Sequence, residues 1–311
     1  MTWSLADVPD QTGRTAVVTG ANGGLGLEAT RMLAGAGAHV VVCARNQAKA
    51  EAARTDVLTT HPDASLEVVP LDLGSLASVG SCARTVAQAH DRVDVLMLNA
   101  GVMAMPEGTT EDGFETQLGT NVLGHWALLS HLLPQVVATP GARVVTLSSV
   151  AQHQGRALKV DDPHLRGGYD AWAQYGNTKL AMRHLAQGLD RRFRSAGLDA
   201  RAVAAHPGLT NSDLQATTHA EGGGGFLGGF FHTLTERVGM SVPYGALSQV
   251  RAATDPGVKP GTMVGPLFAM AGPPVVKPLV RPGASGAIER LWTVCERETG
   301  LRVDPVAVAS A

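Results

Sequence analysis

Val17-Val18-Thr19-Gly20-Ala21-Asn22-Gly23-Gly24-Leu25-Gly26 is the stretch on which the fold turns. A short run rich in Val and Thr, 15–19, ends on a cluster of glycines, and a helical pattern begins at once, with Leu25, Ala29, Met32 and Leu33 on one face. Gly20 permits a tight turn, Gly24 lets backbone approach a pyrophosphate, and Gly26 lets helix and strand pack closely. The N-terminus of such a helix presents unpaired N–H groups and the positive end of its dipole to phosphate. A chain with 37 glycines contains such clusters by chance. The weight of this one comes from its place, at the end of the first strand and the start of a helix.

Working outward, the same alternation continues to about residue 206. Apolar runs at 39–43, 65–71, 93–98, 143–148 and 200–205 are separated by segments of helical length, among them 25–34 and 47–58. The runs are continuous in Val, Leu and Ala, as expected of strands buried on both faces. The expectation is an α/β fold: a single doubly wound, Rossmann-type domain over 1–311, its parallel sheet covered by helices on both faces. After residue 206 the pattern loosens. Residues 210–240 hold Gly222–Gly225 and then Phe226, Leu227, Phe230 and Phe231, and are read as a lid over an apolar substrate, with a dimer contact or a membrane-touching loop as competing readings. Beyond it the pattern predicts a helix over 244–254, a strand over 262–268 and a last helix over 287–298.

Composition narrows the function classes. Hydrophobic residues make up 44% and charged residues 17%, enough for a large buried core. The formal net charge is −2 with no basic run, which argues against nucleic acid as a partner. Cys43, Cys82 and Cys295 show neither disulfide nor metal-ligand spacing, so no metal is expected and the thiols read as reduced. Residues 1–13 carry no apolar run, and the apolar stretch 262–276 is broken by Pro266, Pro273 and Pro274. The expectation is a soluble, cytoplasmic chain without a membrane span.

The chemistry concentrates in Tyr175-Gly176-Asn177-Thr178-Lys179, where tyrosine and lysine share a helix face at i, i+4. Three Tyr and five Lys in 311 residues give 3 × 5/311, or about 0.05 such pairs by chance, so the pair carries information. An ammonium beside a phenol favours the phenolate and is expected to lower the phenol pKa toward working pH. A phenol tuned in this way can pass a proton to or from a substrate oxygen. At the end of the second strand, Val42-Cys43-Ala44-Arg45 lacks the acidic residue that would bind a ribose 2′-hydroxyl; Arg45 suits a 2′-phosphate, and NADP(H) is the expected cofactor.

These motifs resemble those of the short-chain dehydrogenase/reductase family. Thr19–Gly26 is similar to its TGxxxGxG motif, and the resemblance spans residues 13–301. It implies that Asn121, Ser149, Tyr175 and Lys179 form the catalytic set, with Ser149 rather than Ser148 of Thr146-Leu147-Ser148-Ser149 acting on substrate. It also implies a cofactor site made of Gly20, Asn22, Gly23, Gly24, Leu25, Gly26, Arg45, Asp72, Leu73, Asn99, Ala100, Gly101, Tyr175, Lys179, Pro207, Gly208 and Ser212. By the same resemblance Asp72 meets the adenine, Asn99-Ala100-Gly101 packs near the adenosine ribose, Pro207-Gly208 lies beside the nicotinamide, and Asn121 holds a water that links Lys179 to solvent. The stretch Asp112-Gly113-Phe114-Glu115-Thr116-Gln117-Leu118-Gly119-Thr120-Asn121-Val122-Leu123-Gly124-His125 and the long gap between Ser149 and Tyr175 look like the retinol dehydrogenase and protochlorophyllide reductase branch. Departures include Leu98 for the first Asn of NNAG, Thr178 for the Ser before the lysine, and Gln152 followed by His153 where relatives read Ser-x-Ala-His. The implied activity is NADP(H)-dependent interconversion of a carbonyl and an alcohol on a small, apolar molecule. A non-catalytic NADP-binding redox sensor and a light-dependent tetrapyrrole reductase are the alternatives, and homo-oligomerisation is left open.

Overall fold

The runs of Val, Leu and Ala become β1 (Thr15–Thr19), β2 (His39–Ala44), β3 (Leu66–Pro70), β4 (Val95–Leu98), β5 (Arg143–Leu147), β6 (Arg201–Ala205) and β7 (Thr262–Pro266), and β8 (Pro274–Pro278) follows. The computed structural model describes residues 2–210, 239–279 and 283–310. The eight strands form one sheet in the order β3-β2-β1-β4-β5-β6-β7-β8. All neighbours are parallel except β7 and β8. The order reverses between β1 and β4, and a doubly wound sheet opens a ligand crevice at the carboxyl ends of the strands flanking such a reversal.

Both faces are covered, which is why the strand runs are apolar throughout. On one face α1 (Gly24–Gly35), α2 (Gln47–Thr60) and α6 (Val242–Thr254) bury Val18, Val40, Val42, Met97 and Val203. On the other, α3 (Leu76–Ala89), α4 (Gly124–Val137), α5 (Ala171–Ser195) and α7 (Ala284–Thr299) enclose Val17, Val41, Leu96, Leu98 and Val144. Three helices start where side chains accept the first unpaired N–H groups: Asn46 from Lys49, Ser75 from Ser78 and Asp170 from Ala173. A short helix, α8 (Pro305–Ala309), follows the rest. Among the described residues, no helix is long and apolar enough to cross a membrane.

Two features differ from the sequence reading. The strand expected over 262–268 stops at Pro266, because Leu267 and Phe268 turn back through bonds to Pro273 and Ala271, with Ala269 at a φ of 64°. The chain then returns as β8, a strand that the sequence reading did not include. Pro274 and Pro278 stand at the two ends of an edge strand, opposite Pro266 and Thr262, where a missing N–H does little harm. Of the lid reading over 210–240, residues 211–238 lie outside the described residues; Thr210 and Met240, on either side of them, pair as a parallel bridge.

Candidate active site

At the switch point, the turn after β1 is fitted so closely that only glycine serves. Gly20 adopts a φ of 67°, and a Cβ on Gly26 would lie 2.2 Å from the Gly20 carbonyl oxygen and 2.6 Å from Asn99 Nδ2. Gly24 opens α1 at a φ of 50°, with Asn22, Gly23 and Leu25 half-buried around it. The turn is tied to the end of β4 by the Thr19 hydroxyl, which accepts from the backbone N–H groups of Asn99 (2.9 Å) and Ala100 (3.0 Å). The Asn99 amide donates to the Thr19 carbonyl at 2.8 Å, and Gln249 of α6 donates to Leu25 O (3.0 Å) and Asn99 Oδ1 (3.2 Å).

Other residues implied for the cofactor follow the carboxyl ends of β2, β3, β4 and β6. Arg45 is exposed just beyond β2. Asp72 accepts the Gly74 N–H at 2.8 Å, which shapes the turn after β3, while Leu73 is buried against Gly124. Gly101 separates two catalytic candidates: a Cβ there would stand 3.0 Å from Asn121 Oδ1 and 3.3 Å from Lys179 Nζ. Gly208, at a φ of 77°, presses on the Met270 carbonyl, which a Cβ would approach to 2.5 Å, and Pro207 precedes it. Ser212 lies outside the described residues.

The catalytic candidates converge where β5 meets α5. Tyr175 is buried in the second turn of the helix, and Lys179 Nζ sits 5.7 Å from its ring centre. The two serines have separate partners. Ser148 donates to the Lys179 carbonyl at 2.7 Å, whereas Ser149 hydrogen-bonds the Tyr175 side chain and caps the short turn that follows. Lys179 Nζ donates to the Leu147 carbonyl at 3.2 Å.

The electrostatics differ from the simple expectation of a depressed phenol. Burial pushes Tyr175 up to about 12, against a smaller downward pull from Ser149, so in the protein alone desolvation decides. The same burial pushes Lys179 down to about 8. The phenol therefore keeps its proton at neutral pH, and the ammonium is the group poised to release one.

Asn121 occupies a π-helical turn, Gly119–Leu123, leading into α4. Its side chain is held on both sides: Oδ1 accepts from Val102 N–H (2.8 Å), and Nδ2 donates to Val102 O (2.9 Å) and Thr178 Oγ1 (3.1 Å). Its carbonyl accepts from His125 Nδ1 at 3.0 Å, and His125 Nε2 lies 2.9 Å from the Thr19 hydroxyl. A carbonyl only accepts, so Nδ1 carries the ring proton and the Thr19 hydroxyl donates to Nε2. Burial lowers the His125 pKa to about 4 and keeps this bridge neutral. The sequence reading quoted His125 and Glu115 without giving either a role, and it missed Gln249. Buried Glu115 accepts from the N–H groups of Gln117 and Leu118 and from the Gln174 amide, each at 2.8 Å, so it pins the residue directly before Tyr175. An acidic residue at a helix cap was visible in the sequence; its long-range partner was not.

Comparison with known proteins shows the family. Residues 14–222 match the family model described as short chain dehydrogenase. The chain is 37% identical over 234 residues to retinol dehydrogenase 13 of Mus musculus, covering 74% of this chain and 69% of that one. It is 42% identical over 213 residues to a protein named probable oxidoreductase of Streptomyces lividans, covering 66% and 67%. A crystal structure of an uncharacterized protein from Mycobacterium paratuberculosis superposes with a TM-score of 0.78 at 35% identity, covering 97% of this chain and 99% of that one. The chain belongs to the short-chain dehydrogenase/reductase family, in its retinol dehydrogenase branch, whose oxidoreductases interconvert carbonyls and alcohols with NAD(P)(H).

Proposed function

We propose that this chain is an NADP(H)-dependent oxidoreductase acting on an apolar carbonyl or alcohol, with Tyr175 as general acid and base. The observation that carries the reading is the convergence of Ser149 and Lys179 on one buried phenol. The residues present also fit the cofactor: the Gly20–Gly26 turn has no room for a side chain at Gly26 and leads into the N-terminus of α1, and Arg45 stands just beyond β2, where residues 44 and 46 are Ala and Asn. Bound there, NADPH would supply the hydride.

The chain's own groups manage the oxygen and the proton. Ser149 and Tyr175 hydrogen-bond the substrate oxygen, and the Tyr175 hydroxyl gives up its proton as negative charge develops there. Lys179, lowered by burial to about 8 and so still largely protonated at neutral pH, stabilises the phenolate that remains. Asn121, fixed by Val102 and Thr178, keeps the Lys179 side of the site in shape. In the oxidative direction the same proton returns. A soluble, cytoplasmic setting completes the reading.

An apolar substrate is supported by the β7–β8 turn, where Leu267, Phe268 and Met270 are 48%, 76% and 41% exposed. Their turn contacts the chain just after Pro207-Gly208 through the Leu209 N–H to Met270 O bond of 2.8 Å. The mouse relative's name gives retinol, an apolar alcohol. The test is a panel of apolar and polar aldehydes and ketones followed by NADPH or NADH absorbance, with Arg45→Ala beside the wild type. Charge-assisted bonding to a 2′-phosphate predicts a kcat/KM ratio favouring NADPH by about ten- to a hundredfold, falling toward unity in Arg45→Ala. Equal ratios in the wild type would overturn the cofactor assignment.

A further inference from the structure

At the opposite rim of the sheet from Tyr175, three side chains meet that the reaction does not use. His39 is the first residue of β2, Glu67 lies on β3 and His90 caps the C-terminus of α3. Their meeting follows from strand alternation. Val41 and Cys43 of β2 and Val69 of β3 pack against Val79, Cys82 and Val86 of α3, so His39 and Glu67, two residues before Val41 and Val69, face the same way. The register pairs Val41 with Glu67, which makes His39 the diagonal neighbour of Glu67. The cluster thus closes the end of one helix–sheet layer, at the sheet's β3 edge.

The geometry is that of a ligand set. Glu67 Oε1 lies 2.7 Å from His90 Nε2 and 3.7 Å from His39 Nε2. One ligand atom from each residue falls within 4.8 Å of the others. Two donors on one tetrahedral zinc, with bonds of about 2.0–2.1 Å, stand about 3.3 Å apart, and the two distances to Glu67 bracket that value. His39 Nδ1 is 2.7 Å from Ser65 Oγ, the outer hydrogen bond that holds a ligating imidazole in orientation. Its Nε2 is then directed toward Glu67, is shielded from solvent and makes no hydrogen bond. A hydrogen bond between Glu67 and His90 alone leaves that buried nitrogen unsatisfied; a shared cation satisfies all three groups.

We infer that His39, Glu67 and His90 bind a divalent first-row transition metal ion, Zn²⁺ being the best match to two imidazoles and a carboxylate, with a fourth position left for water. The ion joins the edge strand β3 and the end of α3 to β2, so it acts as a stabilising clip remote from the catalytic corner. Spacing along the chain does not betray the site, because 39, 67 and 90 fall in no ligand pattern.

The test titrates the full chain with Co²⁺ as CoCl₂, followed by its visible absorption, and then adds ZnCl₂. The expected result is one equivalent of cobalt with the intense bands of a low-coordinate site, bleached by one equivalent of zinc, and a higher thermal midpoint in zinc than in chelator. His39→Ala, His90→Ala and Glu67→Gln each weaken binding at least about tenfold, and Ser65→Ala weakens it by about ten- to a hundredfold, while NADPH-dependent turnover is kept. Circular dichroism of each variant shows that it is folded. A wild type without the stoichiometric cobalt bands, or folded His39→Ala and His90→Ala variants that bind as tightly as the wild type, overturns the inference.

Discussion

At the turn between β1 and α1, Gly20 sits at a φ of 67° and a Cβ on Gly26 would come within 2.2 Å of a backbone oxygen. At the start of α5, Tyr175 and Lys179 are each 4% exposed, and Ser148, Ser149 and Thr178 surround them with hydroxyls. The first region is shaped by atoms that are missing, which lets the Gly20 carbonyl and the Asn99 amide pack closely against α1. The second is shaped by polar atoms kept out of water, which moves their pKa values and aims them. The lesson is that adding an atom harms the first region and removing one harms the second. The two are joined by His125, between Thr19 of the turn and Asn121 of the corner.

The largest difference between substitutions is expected within the corner itself. On the proposed mechanism Ser149→Ala removes a donor to the developing oxyanion, and it is expected to lower kcat by about 10²–10³-fold. Ser148→Ala, one residue away, removes a bond to the Lys179 carbonyl and is expected to cost about 1 kcal/mol of stability with kcat nearly kept. Steady-state kinetics beside urea unfolding separates the two; matching losses of kcat would merge the roles of the two serines.

The cradle is tested in the opposite sense, by addition. Gly26→Ala forces a methyl group against the Gly20 carbonyl and the Asn99 amide, with an expected loss of about 1–3 kcal/mol of stability and weaker NADPH binding. Fluorescence titration with NADPH and a melting curve read both effects. A variant with wild-type affinity and midpoint would show that the fit at this turn is looser than described.

The smallest effect concerns the buried charge. Folded Lys179 titrates near 8, while the unfolded side chain titrates near its ordinary 10.5. Between those values the unfolded chain binds more protons than the folded one, so the contribution of Lys179 to stability rises with pH from about 8 upward. The slope is at most about 1.4 kcal/mol per pH unit. The raised Tyr175 pKa opposes it only above about pH 10, where the unfolded phenol ionises first. Urea midpoints at pH 7.5 and 9.5 should therefore show the wild type gaining relative to Lys179→Met. No gain would mean that the ammonium is better solvated than its burial implies.

Legibility in the sequence followed the same division. Local signals were read well: the Gly20–Gly26 turn, the Tyr175–Lys179 spacing and the continuous apolar strands each encode their structure within a few residues. What escaped depends on partners far along the chain. Gln249 reaches Leu25 and Asn99, Glu115 reaches Gln174, and β8 exists because an antiparallel edge tolerates Pro274 and Pro278 at its ends. The expectation for Tyr175 failed for a related reason, since its desolvation is set by the whole corner and not by the lysine four residues on.

The most direct test of the division between binding and reaction is Tyr175→Phe, assayed for NADPH affinity and for turnover on the same preparation. The ring stays and only the hydroxyl is lost. The expected result is a dissociation constant for NADPH within a few-fold of wild type and a kcat lower by about 10²–10⁴-fold. A variant that kept more than half of the wild-type kcat would contradict it.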